Sequence, residues 1–380
     1  MSKRNLRCMY AIALLQGMVF YGPIATLYRE AQGVSIAQIT LIESISLALC
    51  ILLEVPWGIL ADKLGYKNTM VACCFLYFLS KIVFWQATGF GGFLLERIML
   101  SVVTAGLSGV DASILYLSCS GQDSQKVFGR YNSLQTAGLL MAALVFSLFV
   151  GDNYPLAGLL TVLSYGAAAL CTLGLTEVKP PAPFSARLTL EVLRQTLSHR
   201  RLLLFLLAGV LMSEAHQTIT TFLNQLQYAR CGLPDEAIGL LYVAATVAGM
   251  AGIWSARLTH RTGKRGTALL LYGGGTAACV VLALTFSPLP SICAILGLRL
   301  CHTLFQPFLM ELQNQQVTTP HRATALSVHA MLMDGVGVGT NLVFGALAEV
   351  NLSWAFWFGG VLCLAGLALF FKWYSSRPQG

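Results

Sequence analysis

Between residues 214 and 228 lies a set of side chains that could do chemistry together. Glu214, Gln217, Thr218, Thr221, Asn224, Gln225 and Tyr228 recur at helical spacing inside an otherwise apolar run. A helix facing lipid does not carry such a stripe, so it is expected to wall a water-filled cavity. Glu214 falls near the middle of the run, where an acid is expensive and marks a functional or partnered position. It is the first candidate for a group that takes up and releases a proton; the alternative is a glutamate held permanently by hydrogen bonds. Asp334 is the second candidate, flanked by Gly335, Gly337 and Gly339 with Asn341 two turns on; small residues of this kind allow close helix approach. Arg299 and Gln306 share a face of another apolar run and could complete the site, whereas His302 beside them is expected to be packed.

The first half of the chain offers a second set. Arg97, Ser101, Thr104, Ser108 and Asp111 recur at i, i+4, i+7, i+11 and i+14, a polar stripe on one helix. At about 1.5 Å per residue, Glu96 and Arg97 lie about 10 Å from the outer face, level with Glu43 on an earlier run. A Glu43–Arg97 pair is expected there, either as a substrate or proton site or as a structural ion pair. Gln16 and Tyr21 are placed on a cavity face of the first run, and Lys81 either snorkels or pairs with an acid. Glu54 and Asp111 fall near the inner ends of their runs beside Asp62 and Arg130, a charge network suited to latching one conformational state.

Such residues need membrane-spanning helices to position them. The mean hydropathy is +0.70, with 56% hydrophobic and only 11% charged residues, where a soluble chain carries about a quarter charged. Each span needs about 20 apolar residues, and the apolar runs give twelve: 8–28, 35–60, 68–88, 91–118, 129–150, 155–176, 202–228, 236–257, 267–287, 290–315, 323–347 and 352–373. The predicted architecture is all-α, two pseudo-symmetric six-helix bundles over 1–178 and 201–380 joined by a linker at 179–200 that carries Pro180, Pro181 and Pro183 and a possible interfacial helix. The repeat shows in Arg299, Thr303, Gln306, Met310 and Gln313, which copy the spacing of the Arg97 stripe.

The net charge of +8 invites a nucleic-acid reading, but the bases do not form one contiguous face. They gather on alternate connections: Lys3, Arg4 and Arg7, then Lys63 and Lys67, Lys126 and Arg130, the linker, Arg257 to Arg265, Arg322 and the tail. That asymmetry follows the positive-inside rule and places both ends of the chain in the cytoplasm. The eleven cysteines have no C-x-x-C pair and fall mostly in apolar runs, as small core residues do. The first run is too long for a signal-peptide core.

One loop is more specific. Gly58-Ile59-Leu60-Ala61-Asp62-Lys63-Leu64-Gly65-Tyr66-Lys67 resembles the G-x-L-A-D-r-x-G-r-k loop between helices two and three of the major facilitator superfamily, and Glu54-Val55-Pro56-Trp57 is similar to the lead-in of many bacterial members. The loop after span eight, Gly252 to Gly266, has bases but no acid in the place of Asp62. The resemblance implies a secondary transporter working by alternating access, with Gly58, Asp62, Gly65, Lys67, Glu54, Asp111 and Arg130 at a cytoplasmic gate. Ser108-Gly109-Val110-Asp111-Ala112 is similar to a pattern in bacterial efflux members, while the Gly-Pro motif of many drug/proton antiporters is missing from span five.

The chain has no G-x-x-x-x-G-K-[ST] loop, so ATP hydrolysis is not expected, and buried acids favour protons as the driver. The expectation is proton-coupled export of a small organic molecule across a bacterial inner or plasma membrane, with proton-coupled uptake as the alternative. No cofactor, metal or nucleic acid is expected, and a monomer suffices. A lipid-modifying enzyme is disfavoured because the histidines are scattered rather than clustered at one face.

Overall fold

The structure, a computed structural model, describes residues 2–119, 124–178, 186–316 and 322–375. Among them every regular element is helical. Eleven helices are long and apolar enough to cross a membrane, beginning at Lys3–Ala31 and ending at Leu352–Ser375. Eleven of the twelve expected runs correspond to these. The eighth is built from Asp235–Ala248, a 3-10 segment Gly249–Trp254 and the start of the Ser255–Leu284 helix. Its continuity is broken twice, by the 3-10 segment and by Gly263, where non-helical φ/ψ mark the turn into span nine.

Several spans are interrupted where the sequence reads as one run. Span one ends a helix at Gly17, passes a 3-10 turn Gly22–Ile24 that contains Pro23, and resumes at Ala25–Ala31. Span four stops at Leu107 and restarts as Val110–Leu117 after Gly109 at φ +77°. Span seven contains a π-helical turn, Ile219–Leu223, the kind of local widening that recurs at functional sites.

The residues form two compact units. The first comprises Met1–Val34, Ile45–Ala186 and Asp235–Val243; the second comprises Ser35–Ser44, Arg187–Pro234 and Ala244–Gly380. Spans two and eight therefore each contribute residues to both. In the first unit, Asp235 accepts a 2.5 Å hydrogen bond from the Tyr154 hydroxyl. In the second, Ser44 donates to the Val338 carbonyl at 3.0 Å, and Glu349 accepts from the Ala37 N–H at 3.1 Å. All eleven cysteines are free thiols.

Candidate functional site

In the first unit, the cavity forms where spans one and five come backbone to backbone. A Cβ on Gly17 would collide with the Gln135 carbonyl, and one on Gly138 with the Leu14 carbonyl, so two glycines let these helices touch. That contact sets Gln16 and Gln135 side by side. They line a cavity of about 310 Å³ with Tyr77, Thr136 and Tyr165, and an adjoining one of about 270 Å³ reaches Thr104, Ser108, Asp111 and Tyr131. The lining is amide, hydroxyl and aromatic with one carboxylate, which suits a small molecule having both polar and apolar faces.

Behind this cavity lies an ion pair that the sequence left undecided. Lys81 and Glu96 meet at 3.1 Å, 5% and 1% exposed. Lys81 also donates to the Tyr21 hydroxyl at 3.0 Å, and its ammonium lies 5.0 Å from the Tyr77 ring centre and 5.5 Å from that of Tyr165, within cation–π range. Tyr21, expected on a cavity face, is buried and stacked on Phe84 at 3.9 Å. Arg97 is half-buried in this same unit, whereas Glu43 belongs to the second.

The signature loop is organised by a residue that the sequence pattern did not single out. Gly65 has φ +85° and ψ 153°, a region essentially restricted to glycine, and it starts the Tyr66–Gln86 helix. Glu177, at the end of span six, accepts from the Lys67 backbone N–H at 3.2 Å. A carboxylate is favourable at a helix N-terminus, and Glu177 fills the place next to Gly65 so closely that a Cβ there would lie 2.7 Å from its Oε2. Gly58 lies inside the Ile36–Leu64 helix, and the side chain of Asp62 falls outside the described ones. Nearby, Ser108 donates to Glu54 at 3.3 Å. Asp111 stands in the first turn of Val110–Leu117 and accepts from the Ala112 N–H at 2.6 Å. Arg130 is exposed and Lys67 half-buried.

The second unit gathers the remaining candidates on spans seven, ten and eleven. Glu214 accepts from the Thr340 hydroxyl at 3.2 Å, and Thr218 donates to Asn341 at 3.0 Å. Asp334 is half-buried on the same helix as Thr340 and Asn341. Around the π turn the polar stripe divides. Gln217 and Thr221 are exposed, while Thr218, Asn224, Gln225 and Tyr228 are buried, and Gln225 donates to the Thr221 carbonyl at 3.2 Å.

Two residues on from Glu214, span seven contributes to a histidine pair. His216 and His302 stack with ring centres 3.7 Å apart and planes 5° from parallel. Arg299 donates to Nε2 of His216 at 3.4 Å, so that nitrogen accepts and Nδ1 carries the proton; Nδ1 is buried without a hydrogen-bond partner among the described residues. Gln306 lies 2.8 Å from Nε2 of His302 and 3.4 Å from the Ser213 hydroxyl through the same amide nitrogen. Arg299 also donates to the Ala245 carbonyl at 3.4 Å and passes 3.3 Å from where a Cβ on Gly249 would stand. His302, expected to be merely packed, is thus joined to both Gln306 and His216. The sequence signal was available, since Arg299, His302 and Gln306 are spaced to share one face, but nothing in it registers His216 against that face.

The sequence profile of the Major Facilitator Superfamily matches residues 8–339. The chain belongs to this superfamily. No curated protein sequence matches it. Among solved structures, the nucleoside transporter NupG is similar with a TM-score of 0.81 at 18% identity, over 98% of this chain and 100% of that one. A POT family transporter in complex with 5-aminolevulinic acid gives 0.77 at 14% identity, over 98% and 97%. A bacterial homolog of the human lysosomal transporter Spinster, inward-facing and unoccupied, gives 0.73 at 16%, over 98% and 95%. At these identities the likeness establishes the fold. The protein is a multi-pass member of a superfamily of transporters, and Gly58–Lys67 is the stretch that resembles the superfamily's loop. The second copy of that loop keeps the backbone and loses the acid: Gly263 has φ 68° and ψ 169°, close to the values at Gly65, yet nothing lies within 4 Å of a Cβ there.

Proposed function

We propose that this major facilitator is a proton-coupled secondary transporter that moves a small organic molecule with polar and apolar faces by alternating access, with export by antiport as its direction. The reading rests above all on Glu214. It is a carboxylate in the middle of an apolar span, and it accepts a hydrogen bond from a neutral hydroxyl. An intramembrane acid held this way is the kind of group that carries a proton in pumps and transporters. Asp334 and Glu43 are further proton-coupling positions in this reading. Gln16 with Arg97, and Gln217, Thr221, Asn224, Gln225, Arg299, Gln306 and Asn341, supply substrate contacts, while Tyr21, buried against Phe84 and Lys81, stands behind them. Glu54, Asp62, Asp111, Arg130, Lys67, Gly58 and Gly65 form the cytoplasmic gate.

A second direction, uptake by proton symport, is favoured by the missing Gly-Pro motif in span five. The proposed setting is a bacterial inner or plasma membrane with both ends of the chain cytoplasmic, the protein acting as a monomer. Proton flux in proteoliposomes under a pH gradient tests the whole reading, with nucleosides, amino acids, sugars and lipophilic cations added singly. A compound that dissipates the gradient names the substrate class, and the side on which it acts separates antiport from symport. No response across the panel would remove proton coupling and favour a sodium-driven or facilitated mechanism.

A further inference from the structure

The helix Ala186–Ser198 follows the first bundle's last span, and its two faces differ. Val192 packs with Ala325 and Val328 against span eleven, supported by Leu188, Leu193 and Leu332. Leu190 and Leu197, seven residues apart, remain 60% and 50% exposed, as on a helix lying in a membrane interface. Where this helix meets spans seven, ten and eleven, a cavity of about 310 Å³ is lined by Thr196, His199, Arg201, Gln316 and His329 among others.

Its chemistry is that of an anion site. Nδ1 of His199 accepts from the Leu202 N–H at 3.3 Å, and Nδ1 of His329 lies 3.1 Å from the Gln313 amide nitrogen, which donates. Both rings therefore carry their proton on Nε2 when neutral and offer it as a donor. Nε of Arg201 is buried with no hydrogen-bond partner among the described residues. No acid lines the cavity among the described residues; Glu191 and Glu311 stand one turn behind and accept from Gln195 and Gln315.

Further along the same two helices, spans seven and eleven enclose an apolar groove of about 220 Å³, lined by Leu203, Leu206, Leu207 and Val210 from span seven and by Leu332, Met333 and Val336 from span eleven. Along span seven the polar wall at Arg201 gives way to leucine at Leu203, and along span eleven His329 gives way to Leu332. From Leu203 to Val210 is about 10 Å of helix, about two-thirds of one leaflet of a hydrocarbon core about 30 Å thick. A cationic pocket followed by an apolar groove along the same two helices matches one molecule with an anionic head and a hydrocarbon tail.

We propose that this cleft binds an anionic phospholipid of the cytoplasmic leaflet, its phosphate against Arg201, His199 and His329 and an acyl chain along the groove between spans seven and eleven. The leaflet assignment rests on the membrane orientation proposed above. Charge complementarity selects the occupant: linker arginines Arg187, Arg194 and Arg200 add to Arg201, and basic residues at a cytoplasmic interface attract anionic headgroups.

The test is lipid retention by the full-length protein in detergent, read by native mass spectrometry, with phosphatidylglycerol, phosphatidylcholine of the same acyl chains and inorganic phosphate as probes. The wild type is expected to keep one phosphatidylglycerol in preference to phosphatidylcholine. Arg201→Gln should lower that retention about fivefold, the contribution expected of one base near an anionic surface. Arg201→Lys should keep most of it, and Val336→Trp, which fills the groove, should lose it. His329→Gln provides a second headgroup variant if Arg201→Gln fails to elute as a single folded species. Equal retention by wild type and the headgroup variants, or equal binding of phosphatidylcholine, would overturn the proposal. Displacement of lipid by millimolar phosphate would reassign the pocket to a soluble anion. Since the readout is retention and not flux, its failure leaves the transport reading standing, and a silent transport assay leaves this one standing.

Discussion

Lys81 and Glu96 face each other across the hairpin between spans three and four, 3.1 Å apart and sealed from solvent. Burying two charges is costly, and removing one partner leaves the other uncompensated, a loss of about 3–5 kcal/mol. Lys81→Met and Glu96→Gln are each expected to lower the unfolding temperature sharply in detergent. The double variant Lys81→Met/Glu96→Gln should recover most of the loss, because no unpaired charge remains. If the two single losses add in the double variant, the pair is not the source of the effect.

Gly65 and Gly263 occupy the same backbone region in the two halves. An alanine in that region costs about 1–3 kcal/mol, so both Gly65→Ala and Gly263→Ala are expected to destabilise. Only at Gly65 does the added methyl also meet a neighbour, the Glu177 carboxylate. Thermal unfolding should therefore fall further for Gly65→Ala. Placing Gly65→Ala in a Glu177→Ala background should add no more than Gly263→Ala does alone. An equal fall for the two single variants would remove Glu177 from the account of the loop.

The spans were legible because an uninterrupted apolar run of about 20 residues is suited to crossing a bilayer and to little else. The signature loop was legible because glycine and charge at fixed spacing are rare between such runs. The Lys81–Glu96 pair was half legible. Lys81 lies six residues before Ala87 and Glu96 eight after Thr88, which puts them level across one hairpin, but Glu43 falls at a similar depth, and only the packing of span three on span four selects the partner. The break in span four was not legible, since Ser108 and Gly109 read equally well as small residues in a continuous helix. The histidine stack was hidden for a different reason. Which face of span seven meets span ten depends on packing and on the π turn after Thr218, and periodicity along one helix carries neither.

Glu214→Gln keeps an oxygen that can accept from Thr340 but cannot release a proton at any accessible pH. In proteoliposomes, pH-driven accumulation is expected to fall to the level of empty vesicles, while exchange of labelled for unlabelled substrate continues. Thr340→Val, which removes the donor and keeps the volume, should leave coupling in place and alter only its rate. Wild-type pH-driven transport in both Glu214→Gln and Asp334→Asn would remove these acids from the coupling mechanism.

Arg299 joins three helices through one guanidinium, reaching the Ala245 carbonyl on span eight and Nε2 of His216 on span seven from its own place on span ten. A lysine keeps the charge but presents a single ammonium in place of a planar fork, and so cannot hold both directions at once. Hydrogen bonds to charged groups contribute about 1.5–3 kcal/mol each, so Arg299→Lys is expected to reduce transport by about tenfold or more. His216→Ala separates the two roles of the arrangement. If Arg299 acts through the histidine stack, His216→Ala and Arg299→Lys should each cause the full loss, and their combination should add little. Independent losses that multiply in the combined variant would leave Arg299 its substrate contact alone and give the histidine stack a separate part. Binding isotherms for both variants distinguish a lost binding contact, which raises the dissociation constant, from a stalled conformational step, which leaves it unchanged while flux falls.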